Sequence, residues 1–302
     1  MKLGYVGLGK MGMGMVEQLL ERGYAVVATN RSKEPVERAA ALGAVPALSY
    51  AELVEALPAP RVIWLMVPWQ SVDGVLDELL PLLTAGDLVI DGGNSPYLET
   101  IKRAERLRAA GLRFLDVGVS GGPSGARHGA CMMIGGERAD FEQCEALFKD
   151  CSIPGGYGYM GGHGAGHFVK MVHNGIEYGM MQAIGEGFEV LRRAPEFSID
   201  LTEVARVYNT GSVIESRLVG WLHKAFTAHG PDLPGISGKV SHSGEGLWTV
   251  EAAKRTGVPV PIIEGSLAFR EASQTNPSYT GQVVSALRNQ FGGHDVAVTP
   301  KK

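Results

Sequence analysis

The sequence predicts an α/β fold, a doubly wound parallel sheet, followed by an all-helical domain. Three observations predict it. The chain opens with a strand, a glycine-rich turn and a helix in one unit of about 30 residues. Apolar strand runs then alternate with helical stretches up to residue 119, the pattern of strands joined by crossover helices. Beyond Glu189 strand signals vanish, glycine thins, and helical patterns take over.

Residues 2–6 (KLGYV) read as a short buried strand, and GLGKMG, Gly7 to Gly12, follows at once. The first helix runs from about Met11 to Arg22 and stops at Gly23, and AVVATN at 25–30 is the second strand. Strand, GxGxxG and helix in this order form the dinucleotide-binding fingerprint of a Rossmann-type fold. Its glycines let the turn close tightly and let the backbone approach a pyrophosphate at the helix N-terminus. Gly7, Leu8, Gly9, Lys10, Met11 and Gly12 are therefore expected to contact the cofactor. The end of the second strand distinguishes the two nicotinamide dinucleotides. An acid there would hold the ribose 2′-hydroxyl and repel a 2′-phosphate. This chain has Asn30, Arg31, Ser32 and Lys33 instead, with no acid until Glu34. A guanidinium and a hydroxyl suit the phosphate, so NADP is the preferred cofactor and NAD the alternative.

Helices near 34–42 and 49–56 lead to RVIWLMVP at 61–68, a continuous apolar strand ending in Pro68, as in a sheet covered on both faces. A helix at about 70–83, the strand DLVIDGGN at 87–94, a helix at 97–110 and the strand RFLDVGV at 113–119 repeat the unit. Ligands of such sheets lie beyond the carboxyl ends of the strands. Val67, Pro68, Asn94, Ser120, Gly121 and Gly122 all fall there. A long helix at 166–193 begins the second domain, followed by helices at 200–209, 212–228, 247–256, 261–274 and 277–290. Only SGKVSHSGEG, 237–246, interrupts them, as a lid-like run. The division is 1–165, dinucleotide-binding, and 166–302, all-helical and including the C-terminal tail.

The 166–193 helix carries the densest chemistry. Positions three and four apart share a face, and one face carries Lys170, His173, Asn174, Glu177 and Tyr178. Val169, Val172, Ile176, Met180 and Ala183 form an apolar stripe at the same spacing, expected to be buried or half-buried. The polar face then points into a cleft, because burying unpaired polar groups costs about a few kcal/mol each. Lys170 and Glu177 are seven residues apart, about 10 Å along the axis. An amine base and a carboxyl acid at that separation can address the two ends of a ligand a few carbons long. An ordinary solvated helix face is the plainer reading.

Composition narrows the class. Apolar content of 45% and charged content of 20% are those of a globular protein. A net charge of −4 argues against a general nucleic-acid binder. No apolar run approaches the ~20 residues that span a bilayer, and MKLGYVGLGKMG lacks signal-peptide architecture. Cys131, Cys144 and Cys151 are odd in number and lack paired spacing, which fits reduced thiols and a cytoplasmic location. There is no CxxC and no HExxH, and His163 and His167 flank a glycine turn without a carboxylate, so no metal site is expected.

GLGKMG, NRS, DGGNS, GVSGGPSGARHG, GHFVKMVHNGIEYG and RNQFGGH together resemble the decarboxylating 6-phosphogluconate dehydrogenases, within the β-hydroxyacid dehydrogenase superfamily. The resemblance covers nearly the whole chain, and its length is that of the short form of the family. The first half is common to the superfamily, whereas HFVKMVHNGIEYG and RNQFGGH are specific to the phosphogluconate branch. The resemblance implies that Lys170 is the general base and Glu177 the general acid. It implies substrate contacts at Asn94, Ser120, Gly121, Gly122, His173 and Asn174, and phosphate contacts at Tyr178 and Arg270. Arg288 and His294 match residues that the family supplies from a neighbouring subunit's tail. A homodimer or homotetramer with shared active sites is implied, with 166–302 as the substrate and dimerisation domain. One departure stands out. Where the long form carries a lysine in its KGTGKW run, this chain has Ser243 in SGEGLW, so one cation of the phosphate clamp is missing. Whether unphosphorylated gluconate is accepted is thereby left open.

The implied reaction is oxidation of 6-phospho-D-gluconate at C3, then loss of CO2 to give D-ribulose 5-phosphate, a step of the pentose phosphate pathway. Two other readings use fewer of the residues. A hydroxyisobutyrate-type dehydrogenase explains Lys170 and Asn174 but not Glu177, Tyr178, Arg270 and the basic tail together. A catalytically silent NADP-binding sensor needs GLGKMG but not both Lys170 and Glu177.

Overall fold

The computed structural model describes residues 1–292, in two compact units that divide between Met171 and Val172. The first unit contains β1 (Lys2–Val6), α1 (Lys10–Glu21), β2 (Ala25–Thr29), α2 (Lys33–Ala41), β3 (Val45–Pro46), α3 (Tyr50–Glu55) and β4 (Val62–Leu65). It continues with α4 (Trp69–Leu79), β5 (Leu88–Asp91), α5 (Tyr97–Ala109), β6 (Arg113–Ser120), α6 (Gly122–His128), β7 (Ala130–Gly136), α7 (Arg138–Asp150) and β8 (Ser152–Gly161). These strands make one eight-stranded sheet in the order β3-β2-β1-β4-β5-β6-β7-β8. Every pairing is parallel except β6 with β7. The strand order reverses between β1 and β4, the place where such sheets open a crevice at their carboxyl edge.

Helices cover both faces, which is why the central strands read as unbroken apolar runs. In β4, Trp64 joins Tyr5, Leu19 and Phe148 on one face, while Ile63 and Leu65 join Leu53, Leu76 and Leu107 on the other. The period-2 alternation of a strand sends both sets into cores.

Sequence reasoning did not find β3, β7, β8, α6 or α7. β3 is two residues long, too short for a pattern. β8 is an edge strand containing Pro154, Gly155 and Gly156, residues that weaken strand signals. α7 buries Phe141, Cys144, Leu147 and Phe148 along one face, a helical period that was present in the sequence and unread. The 212–228 helix is shorter than expected and starts at Arg217, capped by the Ser216 hydroxyl accepting from Val219 N.

α8 (Ala165–Arg192) begins in the first unit and continues into the second. The second unit adds α9 (Leu201–Tyr208), α10 (Arg217–His229), α11 (Glu245–Thr256), α12 (Pro261–Ser273) and α13 (Tyr279–Gly292), around a core that includes Phe188, Leu222, Phe226, Val283 and Leu287. The expected apolar seam of α8 is corrected here. Ile176 is 54% exposed and Met180 42%, and Ala183 is exposed too. Val169 and Val172 are half-buried as expected, but the buried side carries Met171, Gly175, Tyr178, Gly179, Met181, Gln182, Gly185 and Phe188. A Cβ on Gly175 would stand 2.6 Å from Thr249, and one on Gly185 3.1 Å from Thr280. Close packing at glycine, together with Met171, Met181 and Phe188, forms the buried face. Among the described residues no helix is long and apolar enough to cross a membrane.

Candidate active site

The glycine turn after β1 is held closed by two glycines and open at a third. Gly7 has φ +101°, and a Cβ there would meet the Met66 carbonyl oxygen at 2.3 Å. A Cβ on Gly12 would meet the Gly7 carbonyl oxygen at 2.0 Å, so both glycines are required by the turn itself. Gly9 differs: a Cβ there would meet nothing within 4 Å. It is the N-cap of α1 and contributes no side-chain hydrogen bond to the cap. An open backbone at a helix N-terminus fits a phosphate group. Leu8 is buried, Lys10 is exposed at the first helical position, and Met11 packs against the sheet core.

Asn30 braces this turn to the end of β2. Its Oδ1 accepts from Leu8 N at 3.1 Å, and its Nδ2 donates to Ser32 Oγ at 2.9 Å. Gly7, Asn30, Arg31, Ser32, Val67 and Pro68 all line one cavity of about 680 Å³, with Tyr50 and Glu78 farther along its wall. Arg31 and Ser32 are exposed there, free of the core and available to a ligand. The residues present fit a nicotinamide dinucleotide.

Two strand-end loops are tied together by a buried arginine. Asp91, the last residue of β5, accepts from Gly93 N at 3.0 Å and from Ser95 Oγ at 2.8 Å. Arg103 of α5 donates to Ser95 Oγ at 2.9 Å, to the Trp69 carbonyl at 3.1 Å and to Asp73 at 2.7 Å. Its guanidinium holds the Asp73 carboxyl below the usual carboxylate range. Asn94 therefore projects, exposed, from a loop fixed on both sides. At the end of β6, Ser120 is followed by Gly121 (φ +124°) and Gly122 (φ +62°), backbone conformations that favour glycine.

The same strand seats Lys170. Asp116 of β6 is fully buried, and its carboxylate accepts from Gly164 N at 2.7 Å and His167 N at 2.9 Å, capping the start of α8. A Cβ on Gly118 would stand 2.2 Å from the Lys170 Cβ, and one on Gly166 would stand 2.6 Å from the Asp116 carbonyl oxygen. Lys170 is 6% exposed. His167 and His163 brace the start of α8 against the first unit. His167 Nδ1 meets Thr100 Oγ1 at 2.8 Å, and His163 Nε2 meets the Phe114 carbonyl at 3.1 Å.

In the second unit, His173 and Asn174 are half-buried, with His173 Nδ1 3.0 Å from Asn174 Oδ1 and 3.8 Å from Glu177 Oε2. Tyr178 lies under the Arg270 guanidinium at 3.4 Å. Arg270 donates to the Ser241 carbonyl at 3.3 Å, and Arg288 donates to Ser241 Oγ at 2.8 Å. The lid-like run thus bridges two arginines. Burial pushes the Tyr178 hydroxyl up, Arg270 down to about 10, and Arg288 down. At about 10, Arg270 still carries its charge at neutral pH, so the corner offers cations to an anion. Arg288, which the resemblance matches to a neighbour's tail, reaches Ser241 near Arg270 in its own chain. His294 lies outside the described residues. Among the described residues no group of three or more His, Cys, Asp or Glu could hold a metal ion.

Asp116, Gly118, Arg103, Ser241 and Glu245 were not singled out from sequence. An acid inside the apolar run RFLDVGV, and another inside DLVID, were legible signals of buried caps. The others depend on tertiary packing.

Residues 2–161 match the family model described as the NAD binding domain of 6-phosphogluconate dehydrogenase, and residues 166–290 match that of its C-terminal domain. A 6-phosphogluconate dehydrogenase of Haloferax volcanii, named as NAD(+)-dependent and decarboxylating, is 44% identical over 299 residues, covering 98% of this chain and 99% of that protein. The structure of Plasmodium falciparum 6-phosphogluconate dehydrogenase, solved as the apo form, with NADP+ and with 6-phosphogluconate, superposes with a TM-score of 0.82. It is 28% identical and covers all of this chain and 67% of that one. A Mycobacterium tuberculosis 3-hydroxyisobutyrate dehydrogenase shares the fold, with TM-score 0.75 at 21% identity over 95% of this chain and 99% of that one. Two family models that together span the chain, and a relative of matching length, place this protein in the 6-phosphogluconate dehydrogenase family.

Proposed function

We propose that the protein catalyses the NADP-dependent oxidative decarboxylation of 6-phospho-D-gluconate to D-ribulose 5-phosphate and CO2, with NAD as a second cofactor. The observation that carries this reading is the side-chain order along α8. Lys170 and Glu177 lie seven residues apart, and Tyr178, next to Glu177, is stacked on Arg270 beside Arg288. Base, acid and anion-binding corner follow one another in the order that a phosphorylated sugar acid needs.

The bound dinucleotide supplies the acceptor for the hydride that leaves C3. Neutral Lys170 takes the proton of the 3-hydroxyl as that hydride departs. The resulting β-keto acid loses its carboxyl carbon as CO2, and the protonated Lys170 stabilises the oxygen on which negative charge develops. Glu177 then delivers a proton to C1 of the enediol. Asn94, Ser120, Gly121, Gly122, His173 and Asn174 hold the sugar hydroxyls and carboxylate, and Tyr178, Arg270, Arg288 and His294 the phosphate end. Residues 1–165 bind the dinucleotide, and 166–302 bind substrate and dimerise.

Support for NADP comes from Arg31 and Ser32, exposed on the cavity wall with no acid at the end of β2. The NAD(+)-dependent relative supports keeping NAD as the second cofactor. Exposed Ile176, Met180, Val190 and Val213 on the second unit support a homodimer or homotetramer. The free cysteines support a cytoplasmic location.

The test is a kinetic panel crossing 6-phosphogluconate, gluconate and hydroxyisobutyrate with NADP and NAD. The reading requires the highest kcat/KM with 6-phosphogluconate and NADP, and one CO2 per reduced cofactor. Preferred turnover of hydroxyisobutyrate, or reduction without CO2, would overturn it.

A further inference from the structure

The corner assigned to the substrate's far end contains a carboxylate as well as cations. Arg270 is 1% exposed, lies on the Tyr178 ring, and uses Nη1 on the Ser241 carbonyl. Its Nη2 is buried and has no hydrogen-bond partner among the described residues. A buried guanidinium nitrogen without an acceptor marks a place for an acceptor brought by a ligand. Ser243 is not a second donor of this kind. Its hydroxyl has one proton and gives it to Glu245 Oε2 at 2.6 Å. Glu245 is 8% exposed and is the first residue of α11, where the helix N-terminus favours negative charge. Both Arg288 and, more weakly, Arg270 feel its charge, as they do that of Glu177. Two guanidinium groups therefore share the corner with a buried carboxylate of opposite sign.

Resting on the reading that this chain oxidises a 6-phosphosugar acid, we propose that Glu245 is a specificity-determining residue for the group at the substrate's far end. It offsets part of the cationic field and so weakens the hold on a phosphate dianion. It also takes the one proton of the Ser243 hydroxyl, so that hydroxyl has none to give a phosphate oxygen. The site accordingly discriminates less between the phosphorylated and the unphosphorylated sugar acid than its two arginines alone would. The residue acts on affinity at a position remote from C3, so its effect falls on KM rather than kcat.

Three variants test this, each first checked by thermal unfolding. Glu245→Gln and Glu245→Thr remove the charge, and Glu245→Asp keeps it. The ratio of kcat/KM for 6-phosphogluconate to that for gluconate should rise about tenfold in the uncharged variants, mainly through KM for the phosphorylated substrate. Inorganic phosphate, titrated by calorimetry against each protein, should bind about tenfold more tightly to the uncharged variants. Glu245→Asp should stay within about twofold of the parent protein in both measurements. An unchanged or lowered ratio in the folded uncharged variants, or Glu245→Asp behaving as they do, would overturn the proposal. Turnover of neither sugar acid by the parent protein would overturn the proposed activity instead. The phosphate titration would then judge Glu245 by itself.

Discussion

The Lys170 side chain packs directly on the Gly118 backbone: a Cβ on Gly118 would stand 2.2 Å from the Lys170 Cβ. Residues two apart on a strand share a face, so Asp116, Gly118 and Ser120 of β6 form one row. Asp116 anchors the start of α8, Gly118 seats Lys170, and Ser120 ends the row at the strand's carboxyl edge. One strand thereby sets where the proposed base stands.

Gly118→Ala should therefore displace Lys170 by a fraction of an ångström to an ångström. The expected result is a fall of about 100-fold in kcat, because misplacement on that scale costs this much. NADP affinity, measured by fluorescence quenching, should stay within about twofold, since the glycine turn after β1 is untouched. A kcat equal to the parent's would show that the contact does not control the base.

Asp116→Asn keeps the shape of the cap but turns one acceptor oxygen into a donor facing a backbone N–H. Both oxygens are in use, on Gly164 N and His167 N, so one bond is lost. The loss should be about 2 kcal/mol of stability for the first unit, read from urea unfolding. A change under about 0.5 kcal/mol would mean that water replaces the carboxylate there.

These anchors show where sequence reasoning succeeds and where it stops. The strand–glycine–helix unit and the apolar runs of β4 to β6 were legible because their signals are local: a turn needs glycine, and a doubly covered strand needs apolar side chains on both faces. The C-terminal part of the α8 stripe, Ile176, Met180 and Ala183, was misread because the packing seam there also uses Gly175, Gly179 and Gly185, which hydrophobicity counts as nothing. Spacing alone put Lys170, His173, Asn174, Glu177 and Tyr178 on one row of that helix. Ser241 and Glu245 were not found, because their meaning depends on Arg270 and Arg288, which lie some 25 to 47 residues farther along the chain. A pairing of that range leaves no period in a single sequence.

Arg31→Ala should raise KM for NADP about tenfold or more and change KM for NAD by less than about twofold, since only NADP carries the 2′-phosphate. Steady-state kinetics with each cofactor at saturating substrate give the comparison. Equal effects on the two would remove the basis for preferring NADP.

Lys170→Met should abolish reduction of the dinucleotide, with kcat lowered by about 1,000-fold or more, because the base for the 3-hydroxyl is gone. Glu177→Gln should lower steady turnover by about 100-fold yet leave a fast first reduction, visible in stopped flow as a burst of NADPH. The two variants thus separate oxidation from the final protonation. Parent-level turnover in Glu177→Gln would remove Glu177 from the role of acid.

The position of Arg288 is tested by mixing subunits. Its guanidinium donates to Ser241 Oγ at 2.8 Å and lies in the electrostatic field of Arg270 of the same chain. Among the described residues, Arg270 and Arg288 of one chain both donate to Ser241. Lys170→Met and Arg288→Ala proteins, each nearly inactive, are unfolded and refolded together, and the mixed dimers are verified by native mass spectrometry. If Arg288 serves its own chain, every subunit in a mixed dimer lacks either Lys170 or Arg288, and no activity returns. If Arg288 serves the neighbour, each mixed dimer contains one complete site, and roughly a quarter of all sites recover with random pairing. The expected outcome is no recovery. A return to about a quarter of parent activity would move Arg288 into the neighbouring site. Repeating the mixture with His294→Ala in place of Arg288→Ala asks the same question of the tail beyond residue 292. Recovery there alone would mean that sharing begins after Arg288, at the tail.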